Sequence, residues 1–360
     1  MRITCVIGSL GGGGAERAML YLCGGLATRG HEVTLLTLYD HEIPDFYTVP
    51  EAVKRVCLHL PPLRMAGVFG GIARVWKLTW ALRATRPQVV ISFITLNVLA
   101  SCLLLGIPYI YADHLDVRRT PSTKWRIARS ILLRRARAVT VLSKRDLKYL
   151  TRFFPKWKPV LVYNPALPCK GKTNERPTFF KPGKKYVLAV GRLTQQKGFD
   201  RLLEAWRRVC DTHEDWRLAI VGSGPDEAEL KALAETLDVQ YSVDFIPPQK
   251  ELAAVYAHAS VFAMSSRAEG FPLVLLEAMS VGLPAVSFAC TGPDVIIRDD
   301  VDGFLVPQHQ TDLFARKLET LMDDENLRRQ FGKRAREVIT RFSLQDYLDT
   351  YENLCRQALM

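Results

Sequence analysis

The sequence predicts an α/β chain of two Rossmann-like domains facing a central cleft, and three observations predict it. Strand-sized apolar runs alternate with helix-sized stretches through both halves, the pattern of a parallel sheet covered by helices. The length of 360 residues exceeds what one hydrophobic core usually supports, and roughly 150 residues per domain gives two. Between Asn164-Pro165 and Lys185, Pro, Lys, Gly, Asn and Thr replace the periodic apolar residues, as in a linker.

The elements follow in order. Ile3 to Gly8 reads as a strand, Gly11 to Gly14 as a turn, Ala15 to Thr28 as a helix closed by Gly30, and Glu32 to Leu38 as a strand; this is a βαβ opening. Further strands are expected at Val89 to Phe93, Tyr109 to Ala112, Ala138 to Leu142 and Val160 to Tyr163. Val89 to Ala112 is uncharged over about the length of a bilayer, but Gly106 and Pro108 break it into strand, helix and strand, which we read as buried core rather than a membrane span. After the linker, strands are expected at Tyr186 to Val190, Arg217 to Val221, Ser242 to Ile246, Val261 to Met264 and Ala285 to Phe288. The expected domains are thus 1–165 and 186–342, joined by 166–185, with a closing helix over Leu344 to Leu359.

Composition narrows the class. With 48% hydrophobic and 24% charged residues the chain reads as a globular enzyme, not a disordered or fibrous protein. Its eight scattered cysteines form no C-x-x-C pair and, with an opening apolar run too short for a signal peptide, point to the reduced cytoplasm. The net charge of +12 is local: Arg118 to Lys158 holds fourteen Lys or Arg against Asp146 alone. Such a patch faces nucleic acid, anionic lipid or a phosphorylated substrate.

Chemistry concentrates in the second half. Glu269 and Glu277 stand eight apart, Glu269 in a loop after the strand Val261 to Met264 and Glu277 on the second turn of the next helix, with Pro272 suiting its first position. The free amides of Phe271, Leu273 and Val274 would offer an anion site between them. Arg192 and Lys197 lie in the Gly-flanked loop Gly191 to Gly198, at a strand's carboxyl end, where cations face a crevice; they would stabilise charge on a leaving phosphate. In the first half, the glycines after the first strand allow close backbone approach to a ligand, although they spell neither G-x-G-x-x-G nor a P-loop. A merely tight turn is the alternative. The triplet Asp300-Val301-Asp302 runs into the turn Gly303-Phe304 and reads as structural; no metal site is expected.

These residues together resemble family 4 of the retaining glycosyltransferases, with the B-type two-domain fold. The resemblance rests on the Gly-rich first loop, Gly191-Arg192-Leu193 with Lys197-Gly198, Val221-Gly222-Ser223-Gly224-Pro225, Ser266-Arg267 through Pro272 with Glu277-Ala278, and Asp302-Gly303-Phe304-Leu305-Val306. It implies that Arg192 and Lys197 hold the donor diphosphate, Glu277 the ribose hydroxyls and Glu269 the donor sugar. Backbone at Gly270, Phe271, Pro272 and Leu273 would bind sugar and phosphate, and Gly222, Ser223 and Gly224 would line the base. Gly12, Gly13 and Gly14 would close over the phosphates from the first domain, onto which the last helix would cross back. His114 falls near the family's histidine beside the donor sugar, with Asp113 positioned to share or replace its role; a structural histidine is the alternative.

The expected activity is retaining, metal-independent transfer of a hexose or N-acetylhexosamine from a UDP-sugar to a polyprenyl-diphosphate-linked glycan, with no cofactor beyond that co-substrate. Thr291-Gly292-Pro293 resembles a subgroup using UDP-sugars, while Phe245-Ile246-Pro247-Pro248 lacks the glycine usual after that strand and leaves a GDP-sugar as the alternative. On a helical wheel Arg126, Arg129 and Arg137 fall within about 80°. That cationic edge, with Phe153, Phe154 and Trp157, is expected to meet an anionic membrane on its inner face and to grip the acceptor. Met65 to Arg83, with Arg74, Trp76 and Trp80, either shares that contact or is a buried helix. A phosphorylase or nucleotide-sugar epimerase on this fold, and a non-catalytic nucleic-acid-binding protein, are the rival readings; no nucleic acid is expected.

Overall fold

The structure, a computed structural model, describes residues 1–39, 45–60, 67–93, 95–113, 123–169 and 175–360. It divides into two compact units, Met1–Asn164 with Leu344–Met360, and Pro165–Ser343.

The first unit runs β1 (Arg2–Ile7), α1 (Gly14–Thr28), β2 (Glu32–Thr37), β3 (Lys54–Cys57), α2 (Gly67–Thr85), β4 (Val89–Phe93), α3 (Leu96–Leu105), β5 (Tyr109–Asp113), α4 (Thr123–Arg134), β6 (Ala138–Val141), α5 (Lys144–Phe153) and β7 (Pro159–Leu161). Its seven strands lie in the order β3-β2-β1-β4-β5-β6-β7 and pair in parallel throughout. Successive side chains of a strand point to opposite faces, so β1 sends Ile3, Cys5 and Ile7 into one core and Val6 into another. The uncharged segment from Val89 is strand, helix and strand, and among the described residues no helix is long and apolar enough to cross a membrane.

The second unit runs β8 (Lys185–Val190), α6 (Phe199–Arg207), β9 (Trp216–Val221), α7 (Glu227–Thr236), β10 (Val243–Ile246), α8 (Ala253–His258), β11 (Val261–Met264), α9 (Leu273–Ser280), β12 (Ala285–Phe288), α10 (Pro293–Ile296), β13 (Gly303–Val306), α11 (Thr311–Asp323), α12 (Glu325–Ala335) and α13 (Val338–Arg341). Six parallel strands take the order β10-β9-β8-β11-β12-β13. The last helix, α14 (Leu344–Leu359), belongs to the first unit. There Tyr347 donates to the Ala18 carbonyl at 3.3 Å, Tyr351 shares a hydrogen bond with Thr140 at 3.1 Å, and Arg29 pairs with Glu352 at 2.9 Å.

Several expectations are corrected. Strands β3 and β13 were not foreseen, and Gly303-Phe304, expected as a turn, opens β13. Helix α4 stops at Arg134, and Pro272 does not open a helix: it precedes α9 with extended backbone. Trp157 is buried with Phe154 stacked on it, ring centroids 4.3 Å apart, and Arg74 turns inward to donate to the Tyr39 hydroxyl at 3.0 Å. Neither faces a lipid surface.

Trp206 anchors the second core: it is fully buried and its Nε1 donates to Ser242 Oγ at 2.9 Å. Trp206→Ala is expected to destabilise this unit by about 3–5 kcal/mol, measured as a shift of its urea transition, while Trp206→Phe keeps most of the apolar fill and loses less.

Candidate functional site

In a parallel sheet the helices leaving two neighbouring strands depart to opposite faces where the strand order reverses, and a crevice opens at the carboxyl ends there. The second sheet reverses between β8 and β11, and the loops leaving those strands are Gly191–Gly198 and Ser265–Pro272. Arg267 N–H donates to the Gln196 carbonyl at 2.8 Å, Gln196 Nε2 to the Ala268 carbonyl at 2.9 Å, and Ser265 Oγ to the Lys197 carbonyl at 3.1 Å. Arg267 Nη1 also reaches Asp200 Oδ1 at 2.7 Å. Burial works against ionisation of Asp200, but the Arg267 guanidinium holds its carboxyl below the usual range.

Glycines set the spacing. Gly198 has φ +67°, and a Cβ there would stand 2.3 Å from the Ser265 carbonyl oxygen. A Cβ on Gly222 would come to 1.9 Å from the Gly191 oxygen, and one on Gly224 to 2.1 Å from the Leu193 oxygen. The loop after β9 is therefore in backbone contact with the loop after β8, and Leu193 N–H donates to the Ser223 carbonyl at 2.9 Å.

This framework brings Lys197 and Glu269 together: Nζ lies 2.6 Å from Oε1, and Ser266 Oγ donates to the same oxygen at 2.7 Å. Both charged side chains are largely shielded from water, 21% and 9% exposed. Arg192 differs. It is exposed, and no ion-pair partner for it is recorded among the described residues. Sequence reasoning treated the two cations alike; the fold engages Lys197 and leaves Arg192 open.

Glu277 is buried on the second turn of α9, where Oε2 accepts from the Tyr256 hydroxyl at 3.2 Å. Phe271 packs edge-on against Phe342, ring centroids 5.2 Å apart. Beyond it, the amides of Leu273 and Val274 lie in the first turn, where no carbonyl one turn back can accept them. Gly292 presses on this loop, since a Cβ there would stand 2.5 Å from Pro272 Cδ. Burial pushes the neighbouring Cys290 thiol up to about 12, and the Glu269 and Asp294 carboxylates add to the shift, so it stays protonated and is no nucleophile. Two supports were missed from sequence. Tyr256 holds Glu277, and Gln308 Nε2 donates to the carbonyls of Ser266 and Ala289, both at 3.1 Å; a lone Tyr and a lone Gln carry no motif.

Asp302 is fully buried and accepts from Arg298 N–H at 2.8 Å, Arg298 Nε at 2.6 Å and Arg341 Nη1 at 3.3 Å. Its carboxylate is committed to holding the turn.

In the first unit the sheet reverses between β1 and β4, and the glycine loop leaves β1. Gly12 has φ +92° and its carbonyl accepts from the Tyr47 hydroxyl at 3.2 Å. Gly13 precedes α1, which Gly14 begins, and a Cβ on Gly13 would stand 2.3 Å from Glu16 Oε2. His114 and the side chain of Arg126 lie outside the described residues. Arg129 is not part of a cationic edge: it is 7% exposed, ion-paired with the buried Asp113 at the end of β5, and set 5.7 Å over the Trp157 ring. A carboxylate at a neighbouring strand end draws it inward, and Asp113 is equally committed. Arg137 is exposed.

Replacing Gly106 (φ +66°, no atom within 4 Å of an added Cβ) by Ala should cost about 1–2 kcal/mol for the left-handed backbone alone. Gly198→Ala adds a backbone collision, so its drop in stability should be clearly larger in parallel thermal melts.

Comparison with known proteins adds to this geometry. The family described as "Glycosyl transferases group 1" matches residues 171–338, and "Glycosyltransferase Family 4" matches 12–166. The amylovoran biosynthesis glycosyltransferase AmsD of Erwinia amylovora is 34% identical over 337 residues, 90% of each chain. A Campylobacter jejuni α-1,4-N-acetyl-D-galactosaminyltransferase, named for a GalNAc-containing diNAcBac-PP-undecaprenol, is 29% identical over 96% of this chain and 95% of its own. Among solved structures, the sucrose-phosphate synthase of Thermosynechococcus elongatus superposes with a TM-score of 0.81 at 20% identity over 99% of both chains. HepE of Anabaena, solved with UDP and glucose, gives 0.78 at 18% identity over 98% of both.

Proposed function

The chain belongs to glycosyltransferase family 4 and has that family's two parallel-sheet α/β units, and from this premise we propose that it is a retaining, metal-independent enzyme acting in bacterial cell-surface polysaccharide assembly. It transfers a hexose or N-acetylhexosamine from a UDP-sugar to a polyprenyl-diphosphate-linked glycan, and needs no cofactor beyond the nucleotide sugar. The observation carrying this reading is the Lys197–Glu269–Ser266 cluster at the β8/β11 switch point, beside an open Arg192. A lipid-linked acceptor is supported by the name of the Campylobacter relative, and polysaccharide assembly by that of the Erwinia one. UDP is supported by the Thr291-Gly292-Pro293 resemblance and by the nucleotide in the Anabaena structure.

The chemistry follows from charge. Arg192, Lys197 and the first-turn amides of α9 face the negative charge that builds on the departing diphosphate, the role a divalent ion fills elsewhere. As the bond from the sugar's anomeric carbon to phosphate oxygen breaks, the acceptor hydroxyl oxygen bonds that carbon on the same face and its proton passes to the leaving phosphate oxygen. Configuration is retained without a protein base. Glu269, fixed by Lys197 and Ser266, orients the sugar hydroxyls, and Glu277, fixed by Tyr256, those of the ribose.

The deciding experiment is a panel of UDP- and GDP-sugars offered with a polyprenyl-diphosphate glycan and scored for product and anomeric configuration. A UDP-derived product of retained configuration is expected. Inversion would refute the mechanism, and GDP-sugar use the donor base. Turnover should persist in EDTA. Arg192→Ala should lower kcat by about a hundredfold while nucleotide affinity falls far less, because the charge it meets develops in the transition state; an unchanged kcat would remove Arg192 from this role.

A further inference from the structure

Helices α2 to α5 pack on one face of the first sheet, and α2 turns outward a set of side chains unlike an ordinary solvated face. Ile72, Trp76 and Trp80, at successive i+4 positions, are 66%, 69% and 68% exposed. Lys77 and Arg83 are exposed on the same side, all within about 140° of the helix circumference. The opposite side, with Arg74, Leu78 and Leu82, is buried. Two neighbours extend the surface. Leu104 is exposed on α3, which lies against α2 with Ser101 Oγ donating to the Val75 carbonyl at 3.0 Å, and Ile131 is exposed on α4 beyond it.

Charge identifies the occupant. No Asp or Glu occurs between Ala52 and Ala112; Arg74 and Arg129 turn inward, and Lys77 and Arg83 on α2 with Arg134, Arg135 and Arg137 at and just after the end of α4 are exposed. A second copy of so cationic a surface would be repelled, whereas an anionic partner would be attracted. Tryptophan fits the boundary between hydrocarbon and headgroups, with its ring in the apolar layer and its N–H in the wet one. Lys and Arg beside it reach the phosphates while their aliphatic stems lie along the apolar layer. We propose that the outer face of α2, through Ile72, Trp76 and Trp80 flanked by Lys77 and Arg83, docks on the surface of an anionic lipid bilayer. The inference rests on the lipid-linked-acceptor reading and names the membrane contact that reading requires.

The test is co-sedimentation of the full chain with vesicles of phosphatidylcholine alone or mixed with phosphatidylglycerol, at low and high salt. The wild type should partition into the anionic vesicles and leave them as salt rises. Trp76→Ser/Trp80→Ser should lower that partitioning about tenfold, Lys77→Glu/Arg83→Glu should abolish the preference for anionic lipid, and Tyr241→Ser, at an exposed aromatic of the second unit, should change nothing. Circular dichroism checks that each variant is folded. Equal binding to both vesicle types, or wild-type binding by the double Trp variant, overturns the proposal. So does a dimer in sedimentation velocity that the Trp variant dissolves. Vesicle binding without transfer to any lipid-linked glycan would leave this surface standing and sink the acceptor reading; transfer without vesicle binding would do the reverse.

Discussion

Backbone packed on backbone, with no space for a single extra carbon, is the constraint on which the carboxyl-terminal end of the second sheet depends. Gly198 meets the Ser265 carbonyl, Gly222 that of Gly191 and Gly224 that of Leu193, so the loops leaving β8, β9 and β11 are held at contact distance by main chain. Hydrogen bonds from Arg267, Gln196 and Ser265 then fix their register. Only with the loops this close can Lys197 and Glu269, seventy-two residues apart in sequence, meet at 2.6 Å. Sites that act by charge need such fixed frames, because an offset of about 1 Å already costs much of the effect.

On that frame the charges divide their work. Lys197 is engaged by Glu269, whereas Arg192 stands in solvent, so the two cations of one loop meet different surroundings. Burying Glu277 is unfavourable unless its oxygens are met, and Tyr256 supplies a donor from α8. Asp302, in the same sheet's outermost turn, is spent on Arg298 and Arg341 and ties the turn before β13 to α13.

Much of this was legible in the residues, and the misses share a cause. Val261–Met264 and Ala285–Phe288 matched their expected bounds to the residue, because buried central strands are mostly apolar, with Ser287 the one polar residue here, and Ser260, Ser265 and Pro284 mark their ends. Lys54–Cys57 escaped notice: an edge strand is only half covered, needs no apolar run and tolerates Lys and Arg. The helical wheel put Arg129 on an outer edge with Arg126 and Arg137, yet a wheel records direction from one axis and not what approaches it. Asp113, sixteen residues earlier, comes from the neighbouring strand to meet the guanidinium. The motif resemblance implied roles for Lys197 and Glu269 but not their mutual bond, which spacing along a chain cannot express. Tyr256 and Gln308 were invisible for the same reason.

The closing helix has a consequence for the order in which the molecule is made. Tyr347, Leu348, Tyr351 and Cys355 fill the same core as Ile3, Cys5 and Leu22, so the first unit lacks part of its interior until residues beyond the second unit have been made. The second unit, contiguous from Pro165 to Ser343, has all its parts earlier. Completion of the first core is therefore tied to synthesis of the second unit, which lies between its two parts in the sequence.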